Sequence, residues 1–202
     1  MFYWISLILL YLPTRILFPT RIKGKKNLPK GKAIYACNHQ TNFDSIIIGT
    51  GFFRRLYALG KAELFKNKFF GFILKKLGCI KIERGKADIE AVKQTLTILK
   101  KKEKPMLIFP TGTRNSTPDE LNEIKNGVAM FSVKSNSPII PMVMIKKPII
   151  FRPNKLIVGK PLDLSKYEGR VAGKELYDEI SNDLTIALET LLKENMKVKI
   201  KK

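Results

Sequence analysis

Ala33-Ile34-Tyr35-Ala36-Cys37-Asn38-His39-Gln40-Thr41-Asn42-Phe43-Asp44 is the stretch whose reading decides the fold. It opens on a short apolar run with β-branched and aromatic side chains, the pattern of a buried strand. Asp44-Ser45 then stands where a helix cap would, ahead of Ile46-Ile47-Ile48. Between them lies the only histidine of the chain, with a carboxylate five residues beyond it. On a regular helix such a pair lies off the same face, and on a strand it points to opposite faces. His39 and Asp44 can therefore meet only across a turn, as in a strand–loop–helix unit. Imidazole is the natural general base near neutral pH. A nearby carboxylate can hold its tautomer and stabilise the imidazolium formed on proton transfer. Taken alone, the spacing also fits a hydrogen-bonded histidine in a polar loop.

Strands and helices alternate outward from this stretch. A helix is predicted near 43–53, a strand at 55–59 and a helix at 67–77 with Phe69, Phe70, Ile73, Leu74 and Leu77 on one stripe, ended by Gly78. A strand follows at 79–82, then an amphipathic helix at 88–102 with Ile89, Val92, Leu96 and Leu99 inward. Residues 106–109 form an apolar strand, 127–135 a helix, 139–145 and 155–158 extended segments, and 175–193 a closing helix. This order implies a single α/β domain with a mostly parallel central sheet flanked by helices. Active sites in such sheets lie beyond the carboxyl ends of strands. Three polar clusters fall there: Asn38-His39, Glu83-Arg84, and Pro110-Thr111-Gly112-Thr113-Arg114. Arginine grips phosphate with two prongs, and Gly112 lets backbone amides approach a ligand, so these clusters suit a phosphomonoester. Singly, each arginine is more often a surface ion-pair partner than a ligand contact.

The 202-residue chain is 45% hydrophobic and 27% charged, which excludes a disordered polypeptide. Lys and Arg total 38 against 17 Asp and Glu, a net charge of +21 that points to a polyanion, either nucleic acid or anionic lipid. Cys37 and Cys79 each sit in an apolar run and read as reduced core residues of an intracellular protein. With one histidine and no cysteine cluster, no metal site is expected.

Residues 1–12 carry no charged side chain, and Pro13 and Arg15 then interrupt. A span needs about 20 apolar residues, and a signal peptide would place basic residues ahead of the apolar part. The segment therefore reads as a helix lying in one leaflet on the cytoplasmic face, monotopic or peripheral, with Trp4, Leu7, Leu10 and Tyr11 toward lipid. The alternative is a helix buried in the protein's own core. Residues 1–20 form the expected anchor, 21–195 the catalytic domain and 196–202 a basic tail. Anionic headgroups would attract the basic body, and also the tail, with five lysines in 193–202.

Asn38-His39-x4-Asp44, Gly78-Cys79-Ile80-x3-Arg84 and Phe109-Pro110-Thr111-Gly112-Thr113-Arg114, in this order, resemble the glycerolipid acyltransferases of the 1-acylglycerol-3-phosphate type. Lys61-Ala62-Glu63-Leu64-Phe65, Lys125-Asn126-Gly127, Ser137-Pro138-Ile139-Ile140-Pro141 and Val158-Gly159-Lys160-Pro161-Leu162 extend the likeness. The resemblance implies that His39 is the base and Asp44 its orienting partner. It implies that Arg84, Gly112, Thr113 and Arg114 bind the acceptor's glycerol phosphate, with Thr111 in the same loop and Lys61 assisting. The implied reaction moves a fatty acyl group from a coenzyme A or acyl-carrier-protein thioester to lysophosphatidate, giving phosphatidate, with no cofactor beyond the thioester. One departure stands out: the family usually has Glu where this chain has Thr111, which leaves room for another lysolipid or an amino-acid lipid as acceptor. A covalent scheme through Cys37 is the mechanistic rival. A non-catalytic basic protein binding nucleic acid or membrane would account for the charge. It would not account for three ordered clusters, so nucleic acid is not an expected partner.

Overall fold

The computed structural model describes residues 1–83, 85, 88–114 and 121–196. Strand β2, Ile34–Cys37, is inaccessible along its whole length. Its neighbours, β5 at Met106–Ile108 and β6 at Ile139–Met144, both run parallel to it. Beyond β5 come β3, Tyr57–Lys61, and β4, Cys79–Ile82, again parallel. On the other side β7, Asn154–Val158, runs antiparallel to β6, and β1, Thr20–Lys23, runs parallel to β7. The seven-stranded order is β1-β7-β6-β2-β5-β3-β4. Strands covered on both faces read as near-continuous apolar runs, as 33–37 and 106–108 do.

Helix α2, Asp44–Phe52, lays Ile47, Ile48 and Phe52 on one face of the sheet, against Tyr35, Cys37, Met142 and Leu156. Helix α1, Phe2–Leu17, packs on α2, and Phe18 just beyond it enters the same core. Three helices cover the opposite face: α4, Ile89–Lys100; α5, Gly127–Ser135; and α6, Lys174–Met196. Helix α3, Lys68–Lys76, joins β3 to β4. That crossover moves along the sheet in the same direction as β2–α2–β3, so right-handedness puts α3 on the α2 face. The turn before α3 agrees: a Cβ added at Gly60 would lie 3.3 Å from the Phe65 ring. Gly60 shares the face of Ala58, which packs in the α2-side core.

Several expectations are corrected. Leu7, expected to face lipid, is turned onto the protein with Tyr3 and Thr14, whereas Trp4, Leu10 and Tyr11 are exposed. The helix runs on through Pro13 to Leu17. Pro13 is exposed, so the hydrogen bond it removes lies on the outer side. Ile89 is exposed, because the inward stripe of α4 is set by Ala91, Thr95, Ile98 and Leu99 after the Asp88 cap, which accepts from the Ala91 amide. The α3 stripe is largely unburied: only Gly71 of that helix is buried. Gly78 does end α3, at a φ of 88°, a conformation open to glycine. Arg84 and residues 197–202 lie outside the described residues. Among those described, no helix is long and apolar enough to cross a membrane.

Candidate active site

The sheet topology gathers the chemistry at one edge. β2, β3, β4, β5 and β6 all end there, while β1 and β7 begin there because β7 is reversed. The connections at this edge include the loop after β2, the loop after β5, and the segment between β6 and β7.

The loop after β2 holds the His39–Asp44 pair. Asn38 anchors its base, its side chain donating to the Met144 carbonyl at 3.0 Å and accepting from the Met144 amide at 2.7 Å. Asp44 is fully buried at the start of α2, and its carboxylate reaches back into the loop rather than capping the helix ahead. Its Oδ2 accepts from the Gln40 amide at 2.6 Å and the Thr41 amide at 2.9 Å; its Oδ1 accepts from the Thr41 hydroxyl at 2.9 Å. His39 Nδ1 lies 2.9 Å from the same Oδ2. The ring stacks on Phe109, centroids 4.0 Å apart and planes 14° from parallel. A carboxylate partner at Nδ1 selects the tautomer with the proton there. This leaves Nε2, which has no hydrogen-bond partner among the described residues, as the basic nitrogen. The site is thus a fixed imidazole, oriented by a buried carboxylate and clamped by an aromatic face.

The loop after β5 turns through Gly112 at a φ of 67°. Thr111 is buried there and donates to the Thr113 carbonyl at 2.7 Å, so its hydroxyl proton holds the loop together rather than facing outward. Asn122 donates to the Thr113 hydroxyl at 3.3 Å and the Arg114 carbonyl at 3.0 Å. Lys125 adds to the cationic character, its Nζ lying 3.6 Å from where a Gly112 Cβ would be. Arg114 reaches a cleft of about 560 Å³ whose wall includes Gln40, Thr41, Asn42 and Phe43. Phe18, Lys147, Pro148, Ile149 and Ile150 complete that cleft. It has cations, Arg114 and Lys147, and apolar surface, Phe18, Phe43, Ile149 and Ile150. A phosphate ester carrying an acyl chain has the same two characters. Lys61 ends β3 at this edge, paired with Glu63 at 2.9 Å.

A family model described as Acyltransferase matches residues 19–145. The chain belongs to the acyltransferase family. The 1-acyl-sn-glycerol-3-phosphate acyltransferase of Bacillus subtilis (strain 168) is 30% identical over 153 residues, which cover 70% of this chain and 73% of the relative. The enzyme of the same name from Streptococcus pneumoniae is 30% identical over 112 residues, 53% of this chain and only 40% of that protein. The crystal structure of the 1-acyl-sn-glycerophosphate (LPA) acyltransferase PlsC from Thermotoga maritima aligns with a TM-score of 0.74 at 21% identity, covering 98% of this chain and 81% of that one. It shows a shared fold.

In this acyltransferase Cys37 lies away from solvent. It is fully buried on the α2 side of the sheet, and burial, reinforced by the Asp44 carboxylate, pushes its thiol well above the ordinary range. Burial likewise pushes Cys79 up to about 11. No cluster of three or more His, Cys, Asp or Glu side chains able to hold a metal occurs among the described residues. Sequence reasoning missed the Lys147–Ile150 wall, Phe18 and the Phe109 stack. Only the run Lys146-Lys147-Pro148-Ile149-Ile150-Phe151, cationic then apolar between two strands, could have hinted at that wall.

Proposed function

We propose that this acyltransferase transfers a fatty acyl group from a thioester to the free hydroxyl of lysophosphatidate, giving phosphatidate for phospholipid synthesis. The observation that carries the reading is the His39–Asp44 pair, its Nε2 unoccupied, in a loop whose residues 40–43 wall a cleft that offers Arg114 and Lys147 together with apolar surface. The names of the relatives, 1-acyl-sn-glycerol-3-phosphate acyltransferases, support the choice of acceptor.

His39 Nε2 takes the proton of the glycerol hydroxyl as its oxygen attacks the thioester carbonyl. The tetrahedral intermediate collapses, the C–S bond breaks, and the imidazolium returns its proton to the departing thiolate. Asp44 stabilises the imidazolium between these events. No acyl-enzyme is needed. Arg114 and Lys147 bind the phosphate, with Lys61 at the end of β3 as a further cation and Arg84 retained from the sequence resemblance. Gly112 and Thr113 shape the Arg114 loop; Thr111 acts from inside it. The thioester is that of coenzyme A or of acyl carrier protein.

The acceptor and product are lipids, and α1 fits a monotopic hold on the cytoplasmic face of an anionic membrane. Trp4, Leu10 and Tyr11 face outward from it, and the body behind carries net charge +21. The test is an acceptor panel with both thioesters, read as lipid products by mass spectrometry. Lysophosphatidate should be the best acceptor. Preference for a phosphate-free amino-acid lipid would instead trace to the neutral Thr111 loop and overturn the phosphate assignment.

A further inference from the structure

Helix α3 exposes a row of aromatic side chains that the fold does not use. Phe69 is 76% exposed and Phe72 56%, with Phe70 and Leu64 also open. Monomeric proteins seldom leave so contiguous an apolar patch uncovered without a partner. Around it stand Lys66, Lys68, Lys75 and Lys76, all exposed and none ion-paired among the described residues. Lys76 Nζ lies 5.3 Å from the Phe72 ring centroid, so one cation flanks the aromatic row directly. Aromatics ringed by lysines match an anionic bilayer surface, apolar within and negative at the headgroups.

Position makes the same choice of partner. α3 lies on the face of the sheet that also carries α1 and α2. The other exposed large apolar groups of that side are on α1, on α2 and its ends, and at the Ile149–Phe151 tip, where the Phe151 amide donates to the Leu17 carbonyl. The opposite face shows only scattered ones, such as Ile89 and Ile186. An acidic protein partner would match the lysines but would not extend continuously over α1.

We propose that α3 is a second membrane contact: Phe69 and Phe72 enter the headgroup region while Lys66, Lys68, Lys75 and Lys76 bind anionic lipid. The bilayer then meets α1, the exposed Phe43, Ile46 and Phe53 on and beside α2, and α3, rather than α1 alone. This rests on the membrane-bound reading above and deepens it.

The test uses the full chain. Trp4, the only tryptophan, reports on α1 in the wild type. Phe69→Trp in a Trp4→Phe background reports on α3. Each is titrated with phosphatidylcholine vesicles, with and without phosphatidylglycerol, and with acyl carrier protein. The expected result is a blue shift, and quenching by brominated lipid, at both positions on anionic vesicles. Lys68→Gln with Lys75→Gln should lower partition onto those vesicles about tenfold or more. Phe69→Ser with Phe72→Ser should cut turnover of vesicle-borne acceptor and spare that of a micellar short-chain acceptor. A response at Trp4 alone overturns the α3 contact and leaves the α1 anchor standing. Silence at both positions overturns both. A response of position 69 to acyl carrier protein and not to vesicles makes α3 a protein-docking surface and overturns the proposal.

Discussion

Asp44→Asn isolates one property of the site, because the structure lets the amide keep the shape of the carboxylate. The Asn oxygen in the place of Oδ2 can still accept from the Gln40 and Thr41 amides and from His39 Nδ1. Its nitrogen in the place of Oδ1 can donate to the Thr41 hydroxyl oxygen. What disappears is the charge. Each of three bonds into Oδ2 falls from a charge-assisted to a neutral hydrogen bond, about 1 kcal/mol apiece, so stability should drop by about 2–3 kcal/mol. Catalysis should suffer more. The imidazolium loses a counter-charge that, about 4 Å between charge centres and at an effective dielectric of about 20, contributes about 4 kcal/mol. If the transition state feels most of that, kcat falls about a thousandfold. Urea unfolding measures the first quantity, and initial rates at saturating acceptor and donor the second. A folded Asp44→Asn protein that keeps kcat within tenfold of the wild type would refute the role given to the carboxylate.

Other outcomes follow from the same geometry. Arg114→Ala should raise the acceptor KM roughly 10–100-fold with little change in the donor KM, since it removes charge-assisted hydrogen bonds to a phosphate; steady-state kinetics with each substrate varied checks this. Lys147→Ala should act in the same direction by about tenfold, a point charge contributing less than a forked guanidinium. Cys37→Ala should keep most of kcat, and in the wild type an alkylating reagent at pH 8 should label Cys37 only after denaturation, because burial holds the thiol protonated. Thr111→Val should raise the acceptor KM more than the donor KM, since it cuts the hydroxyl's bond to Thr113 within the Arg114 loop; equal effects on both substrates would place the loop elsewhere.

The strand–loop–helix around His39 was legible because each part has a local signal: an apolar run, a polar loop, a helix start. The parallel direction of β2, β3, β4, β5 and β6, though not their order in the sheet, was legible for the same reason, from strands alternating with helical periodicity. What escaped the sequence is set by distant partners. β1 is four residues of mixed character, Thr20-Arg21-Ile22-Lys23, and is a strand only because β7 offers it an edge. The reversal of β7 depends on a connection between strands, and with it came the Lys147–Ile150 wall. Leu7 points inward because α2 lies beneath α1, which no helical period reveals. In α3 the amphipathic pattern was clear, but periodicity names a face and not what covers it. At the site, His39, Asp44 and Arg114 could be named from spacing and resemblance. The stacking of His39 on Phe109 joins residues far apart in the sequence, and the inward turn of Thr111 onto the Thr113 carbonyl, though local, has no signature in the residue pattern.

The measurement closest to the central claim is the formation of phosphatidate by the purified chain and by its folded His39→Ala variant. Each is supplied with lysophosphatidate in anionic vesicles and, in turn, with acyl-CoA and acyl carrier protein thioester. The wild type should form phosphatidate and a stoichiometric free thiol with at least one donor, and His39→Ala should turn over no faster than background. Near-normal turnover by the folded variant, or a folded wild type that acylates other lysolipids but never lysophosphatidate, would contradict it.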